Sequence, residues 1–182
     1  LATAKWIASI QELSGNRLLL GVGIGWMKAE FKAVGKSLKS RVTDSVDVLE
    51  FLQACFTSDE VTRHGQDFLF RPRPAKPPIY MSGTPPHAVD RALQYADGWM
   101  PLGDLSRLAV DIEKYKSRSA ELGRPNPEVV TFCNVGGCDV SRVQNILESY
   151  EAAWVTTLIA SRPYDEASEW LTTIETSVGA IR

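Results

Sequence analysis

Reactive side chains are scarce in this 182-residue chain. Its three cysteines, Cys55, Cys133 and Cys138, are odd in number and contain no Cys-x-x-Cys pair, so neither a disulfide framework nor a zinc site is expected. Free thiols fit a reducing compartment, and the expected location is cytoplasmic. With His64 and His87 as the only two histidines, a histidine-rich metal centre is excluded. Charge of one sign is lacking too: 20 basic residues face 22 acidic ones, net −2, and neither sign forms a block. Such a surface is a poor footprint for nucleic acid, which is not an expected partner. The longest apolar run, LLLGVGIGWM from Leu18 to Met27, is about half a membrane span and carries three glycines, so no membrane insertion is expected. No Ser/His/Asp set, paired carboxylates or metal-ligand spacing can be assembled. A protein this short of reactive groups points to an enzyme whose cofactor does the chemistry.

What is present is a core: 44% hydrophobic and 23% charged residues are the proportions of a globular domain, and disorder or a fibrous fold drops out. At roughly 150 residues per domain the chain holds one. Residues Ala2 to Leu13 repeat apolar positions Ala4, Ile7, Ala8 and Ile10 at helical spacing and stop at Gly15 and Asn16. Leu18 to Ile24 reads as a strand buried on both faces, as in parallel sheets. Helices follow at Lys28 to Val34 and Arg41 to Phe56, the latter with Val42, Val46, Leu49 and Leu52 in one stripe. An excursion at about 58–77 combines a hairpin turning at Gly65 with the stiff stretch RPRPAKPP. Strand and helix then alternate: Ile79 to Ser82, Pro86 to Ala96, Gly98 to Pro101, Leu105 to Leu122, Val129 to Val135, Ser141 to Tyr150, Trp154 to Ala160 and Tyr164 to Val178.

Five strand-then-helix units and no hairpin among the core strands indicate a parallel α/β fold. A closed eight-unit barrel takes about 250 residues, and three further units would supply the difference. An open doubly wound sheet ranks second, because GVGIG lacks the spacing of a dinucleotide fingerprint. The opening LATAKWIASIQELSG has neither a Met nor a leader and reads as though entered inside a helix.

Three segments carry candidate chemistry. In LLLGVGIG the alternation puts Leu19, Gly21, Gly23 and Gly25 on one nearly bare face, which suits either a flat ring or a closely packed neighbour. Trp26 follows at the carboxyl end of the strand, placed to stack on a ring or to join the core. In PPIYMSGTPP, Ser82, Gly83 and Thr84 precede a helix entered through prolines, the arrangement of a phosphate cradle or of an ordinary strand-to-helix loop. In YADGWMPLG, Gly98 and Trp99 bring a turn and apolar bulk toward the same end, or into the core.

Taken together, LSGNRLLLGVGIGWMKAEFKAVG and PPIYMSGTPPHAVDRALQYADGWMPLG resemble the luciferase-like monooxygenase family, particularly its deazaflavin-dependent oxidoreductase branch. The resemblance implies a (β/α)8 TIM barrel, of which this chain holds the C-terminal five units, starting where the family's third helix lies. It implies noncovalent binding of coenzyme F420, a deazaflavin, or alternatively FMN, at the carboxyl ends of the strands. Carried over by position, Gly23, Gly25 and Trp26 lie beside the ring, Ser82, Gly83 and Thr84 hold the phosphate-bearing tail, and Gly98 and Trp99 line the mouth. Glu30, a turn beyond Trp26, is a conceivable acid/base group, and Trp26 stands where some relatives place a carboxylate, which leaves the proton donor unassigned. The expected activity is hydride transfer between a reduced deazaflavin and an organic substrate. The alternatives are an FMN-dependent monooxygenase of the same fold and an inert barrel fragment serving as a binding or assembly module. Five strands that do not close leave two apolar edges, so self-association into a homo-oligomer is expected.

Overall fold

The computed structural model describes residues 1–182 except 125, 162, 164–167, 169–170, 173–174 and 177–182. Most of the helix expected at Tyr164 to Val178 therefore lies outside the described residues, although 168, 171, 172, 175 and 176 are helical. The elements are α1 (Ala2–Leu13), β1 (Leu20–Val22), α2 (Lys28–Ala33), a 3-10 turn (Leu38–Ser40), α3 (Arg41–Thr57), β2 (Glu60–Arg63), β3 (Gln66–Leu69), β4 (Ile79–Ser82), α4 (His87–Tyr95), β5 (Gly98–Met100), α5 (Leu105–Glu121), β6 (Glu128–Asn134), α6 (Val140–Ala152) and β7 (Thr157–Ser161). Strands β1, β4, β5, β6 and β7 form one parallel sheet in that order, a curled half-barrel. The β2–β3 pair is an antiparallel hairpin whose two-residue loop, His64 and Gly65, has positive φ at both positions, the loop whose twist matches that of the flanking strands.

Register fixes which side chains share a face. Gly21, Tyr80, Gly98 and Glu128 stand in one row across β1, β4, β5 and β6, and Val22, Met81, Trp99 and Val129 in the next. Since neighbouring rows point to opposite sides, the second row faces the helices. There it joins Leu49, Val89, Leu93, Leu108, Ile112 and Tyr115 in the main core. A second cluster binds α1 to α3 and the hairpin through Ala4, Ile7, Ala8, Phe51, Leu52, Cys55, Phe56, Val61 and Phe70. A third packs β6 and β7 on α6 through Cys133, Val135 and Val143.

Three expectations are corrected. β1 is shorter than Leu18 to Ile24 and is not buried on both faces: Leu19 and Gly21 are exposed while Leu20 and Val22 are half-buried. It lies at the sheet edge with β4 as its one neighbour among the described residues, and on its glycine face the Met100 side chain lies against Gly21 while the space over Gly23 is open. In α3, Val42 is exposed, because the first turn of that helix projects past the core; the buried stripe is Leu49, Phe51, Leu52, Cys55 and Phe56. In α1 the position expected for Ile10 falls to Gln11, which is 1% exposed. Both polar atoms of its amide are partnered: Oε1 accepts from the Leu18 N–H at 3.0 Å and Nε2 donates to the Ala75 carbonyl at 3.1 Å, so a buried polar group joins α1, the entry to β1 and the extended segment.

Candidate functional site

The carboxyl ends of β1 and β4 converge on a cleft of about 710 Å³ lined by Ile24, Gly25, Trp26, Gly83, Thr84 and Pro85, with Arg41, Val42, His87, Asp90 and Arg91. Residues far apart in the chain meet there because β1 and β4 are paired in register, Leu20 beside Ile79 and Val22 beside Met81. Gly25 has φ +72° and an added Cβ would come 2.9 Å from the Phe31 ring, so both conformation and space require glycine. Gly83 has φ +132°, with Ala88 Cβ 3.0 Å from where its own Cβ would stand. Gly23 is different: a Cβ there would meet nothing within 4 Å. Trp26 is 79% exposed, a flat apolar surface on the rim.

Four of the sequence-derived candidates, Gly25, Trp26, Gly83 and Thr84, thus line one cleft. Gly23 lies immediately before it at the end of β1, and Ser82, half-buried, ends β4. Two others sit elsewhere. Trp99 is fully buried on the helix side of the sheet, 5.6 Å from the Tyr115 ring, so its indole is not at the mouth. Its Nε1 donates to the Gly83 carbonyl at 3.1 Å and so holds the loop after β4 from behind. Gly98 is at the amino end of β5, where an added Cβ would fall 2.7 Å from both the Glu128 carbonyl and the Tyr80 ring. Its bareness serves Tyr80, whose ring crosses β5 so that its hydroxyl donates to the Glu128 carboxylate on β6. Burial, reinforced by that carboxylate, pushes the Tyr80 hydroxyl well above its usual range. Glu30 is exposed in the first turn of α2 and does not line the cleft.

Sequence reasoning passed over Arg41 and Arg91. Arg41 opens α3 and Arg91 lies in the second turn of α4. The Nε of each is buried without a hydrogen-bond partner. Charged residues on helices normally read as a solvated face, and only the β1–β4 pairing brings these two to one cleft. Among the described residues no cluster of His, Cys, Asp and Glu could hold a metal ion, and no helix is long and apolar enough to cross a membrane.

The cleft fits an anionic, ring-bearing ligand: it holds an exposed indole, Trp26, and two guanidinium Nε–H groups without acceptors. Comparison with known proteins gives four findings. The family model described as luciferase-like monooxygenase matches residues 1–175. The FMNH(2)-dependent dimethylsulfone monooxygenase of Pseudomonas putida is 26% identical over 132 residues, 66% of this chain and 36% of that protein. The 5,10-methylenetetrahydromethanopterin reductase of Methanolobus tindarius is 30% identical over 101 residues, 53% of this chain and 31% of that protein. Among solved structures, an F420-dependent secondary alcohol dehydrogenase in complex with an F420-acetone adduct superposes with a TM-score of 0.83 at 16% identity, covering 100% of this chain and 74% of that one. The chain spans about a third of the length of these two curated relatives.

Proposed function

This chain belongs to the luciferase-like monooxygenase family, and from that premise we propose that it forms the cofactor-binding part of an oxidoreductase that uses coenzyme F420. When bound, a reduced deazaflavin supplies a hydride to, or its oxidised form takes one from, an organic substrate. The observation that carries this reading is the convergence of the β1 and β4 ends on one cleft, lined by Gly25 and Trp26 from the first and by Gly83 and Thr84 from the second. In this reading Gly23 and Gly25 keep the β1 end low so that a ring can lie against it, and Trp26 covers its edge. Ser82, Gly83 and Thr84 receive the phosphate-bearing tail, their loop fixed by the Trp99 hydrogen bond. Gly98 and Trp99 act from beneath and behind, by packing. Glu30 lies outside the cleft and takes no assigned proton.

FMN-dependent monooxygenation is the second reading, favoured by the likeness to the dimethylsulfone monooxygenase. The two cofactors separate in one experiment: titration of the protein with coenzyme F420 and with FMN, followed by quenching of cofactor or tryptophan fluorescence. Tighter binding of the deazaflavin is expected. Equal or tighter binding of FMN overturns the deazaflavin assignment and leaves the fold as described.

A further inference from the structure

The fold sets one of the three cysteines apart from the other two. Cys55 is buried in the cluster that joins α1, α3 and the hairpin, which contains no second thiol. Cys133, near the carboxyl end of β6, and Cys138, just ahead of α6, pack in one cluster with Val135, Val143 and Tyr150. Strand alternation turns Cys133 and Val135 to the same side, toward α6, and the Val135 N–H continues the ladder to the Ser161 carbonyl at 2.9 Å. The chain then reverses. The Cys138 N–H donates to the Val135 carbonyl at 3.2 Å across a turn whose third residue, Gly137, has φ +71°. That reversal carries Cys138 back onto the cluster that Cys133 occupies.

Both sulfurs border the same short loop. The Cys133 Sγ lies 3.7 Å from the Asn134 carbonyl and the Cys138 Sγ 3.9 Å from the Gly136 carbonyl, weak contacts made within the loop itself. Their surroundings differ. Cys138 is half-buried and open to reagents from solvent, whereas Cys133 is buried. Burial pushes the Cys133 thiol up, the hydrogen bond from the Tyr150 hydroxyl works against that, and the Cys138 sulfur is near enough to raise it further. Cys133 therefore stays a thiol, with Tyr150 placed to donate to its sulfur as the proton leaves.

We infer that Cys133 and Cys138 form a thiol–disulfide switch, oxidised by hydroperoxides, that ties the end of β6 to the start of α6. The accessible Cys138 sulfur attacks one oxygen of the peroxide, the O–O bond breaks, water or an alcohol leaves, and Cys138 becomes a sulfenic acid. The Cys133 sulfur then attacks the Cys138 sulfur. The S–S bond forms, the S–O bond breaks, and the hydroxyl leaves as water with the Cys133 proton, so the two thiols give up the two electrons that the peroxide takes. Because β6 runs parallel to β1 and β4, the bridged loop lies on the carboxyl side of the sheet, as the cleft does. Trypsin leaves both cysteines on one peptide, residues 119–142, and Cys55 on another, residues 42–63. The reduced chain is treated with hydrogen peroxide while folded, then unfolded, alkylated, digested and weighed by mass spectrometry. Peptide 119–142 is expected two hydrogens lighter and unalkylated, as a disulfide requires, and dithiothreitol restores it, while Cys55 is alkylated in full. In Cys138→Ser, Cys133 remains a thiol; in Cys133→Ala, Cys138 stops at the sulfenic acid, which dimedone captures. Circular dichroism confirms the folding of each variant. A bridge that suits the fold also stabilises it, so the oxidised native chain is expected to unfold at a higher urea concentration than the reduced one. The proposal is overturned if both cysteines still take the alkylating agent after peroxide, if the peptide gains oxygen instead of losing hydrogen, or if the oxidised chain unfolds at the same or a lower urea concentration.

Discussion

The two faces of the five-stranded sheet obey different rules. On the helix side, Trp99, Ile112, Tyr115 and Val129 are each 0% exposed, and strand and helix side chains form one core cluster. On the inner side, Gly21 and Gly23 are exposed, Phe132 is 44% and Ile159 is 37% exposed, and close packing gathers at Val130, at the Met100 side chain against Gly21 and at the Tyr80–Glu128 bridge over Gly98. Sequence alternation divides the labour: every second residue builds stability, and the others are free to be small, flat or polar. The glycines fall into the same division. Gly98 is bare because a ring of this protein occupies its space, whereas Gly23 is bare and its space is open.

That contrast sets a graded series of substitutions, read by urea unfolding. Gly98→Val should have the largest effect, a loss of about 1–3 kcal/mol or more, because the new side chain strikes a backbone carbonyl and an aromatic ring that cannot both yield. Tyr80→Phe comes next, at about 1–2 kcal/mol, since the Glu128 carboxylate loses its buried donor. This effect has a pH signature. Because the folded state holds the Tyr80 proton more tightly than the unfolded chain, its contribution is complete below the ordinary tyrosine pKa of about 10 and declines as pH rises beyond it. The stability gap between native and Tyr80→Phe protein therefore narrows toward pH 11. Gly23→Val should change stability least, within about 0.5 kcal/mol, while weakening cofactor binding in the fluorescence titration. If Gly23→Val unfolds the protein as Gly98→Val does, the distinction between the two glycines fails.

Element type and order were legible because each helix and strand carries its own period and its own stop signals. Ile79–Ser82 coincides with the expected strand, and the hairpin turns at the expected glycine. Facing was harder. Alternation says that Trp99 and Gly98 oppose each other but not which of them looks inward; that follows from the register with Tyr80 and Met81. Exposure at β1 depended on its edge position, a property of the whole sheet. Arg41 and Arg91 left no local signal, since neither spacing nor composition marks a pair of charges that meet only through strand pairing. The strand-to-helix loop at Ser82–Thr84 was legible because proline and glycine chemistry is local, while the cations beside it were not.

Chain connectivity adds a cost to the strand that carries the bare face. Neighbouring strands β4 and β5 are joined by residues 83 to 97, but β1 reaches β4 only through residues 23 to 78, which include the hairpin. The second connection is roughly four times longer, and its closure costs about 1 kcal/mol more in chain entropy. β1 therefore begins at an entropic disadvantage to every other strand pairing in the sheet. It is held at the edge of the cleft by a short ladder, by the Gln11 amide and by its half-buried leucine and valine, and the protein's most openly glycine-lined surface rests on the pairing that is entropically hardest to form.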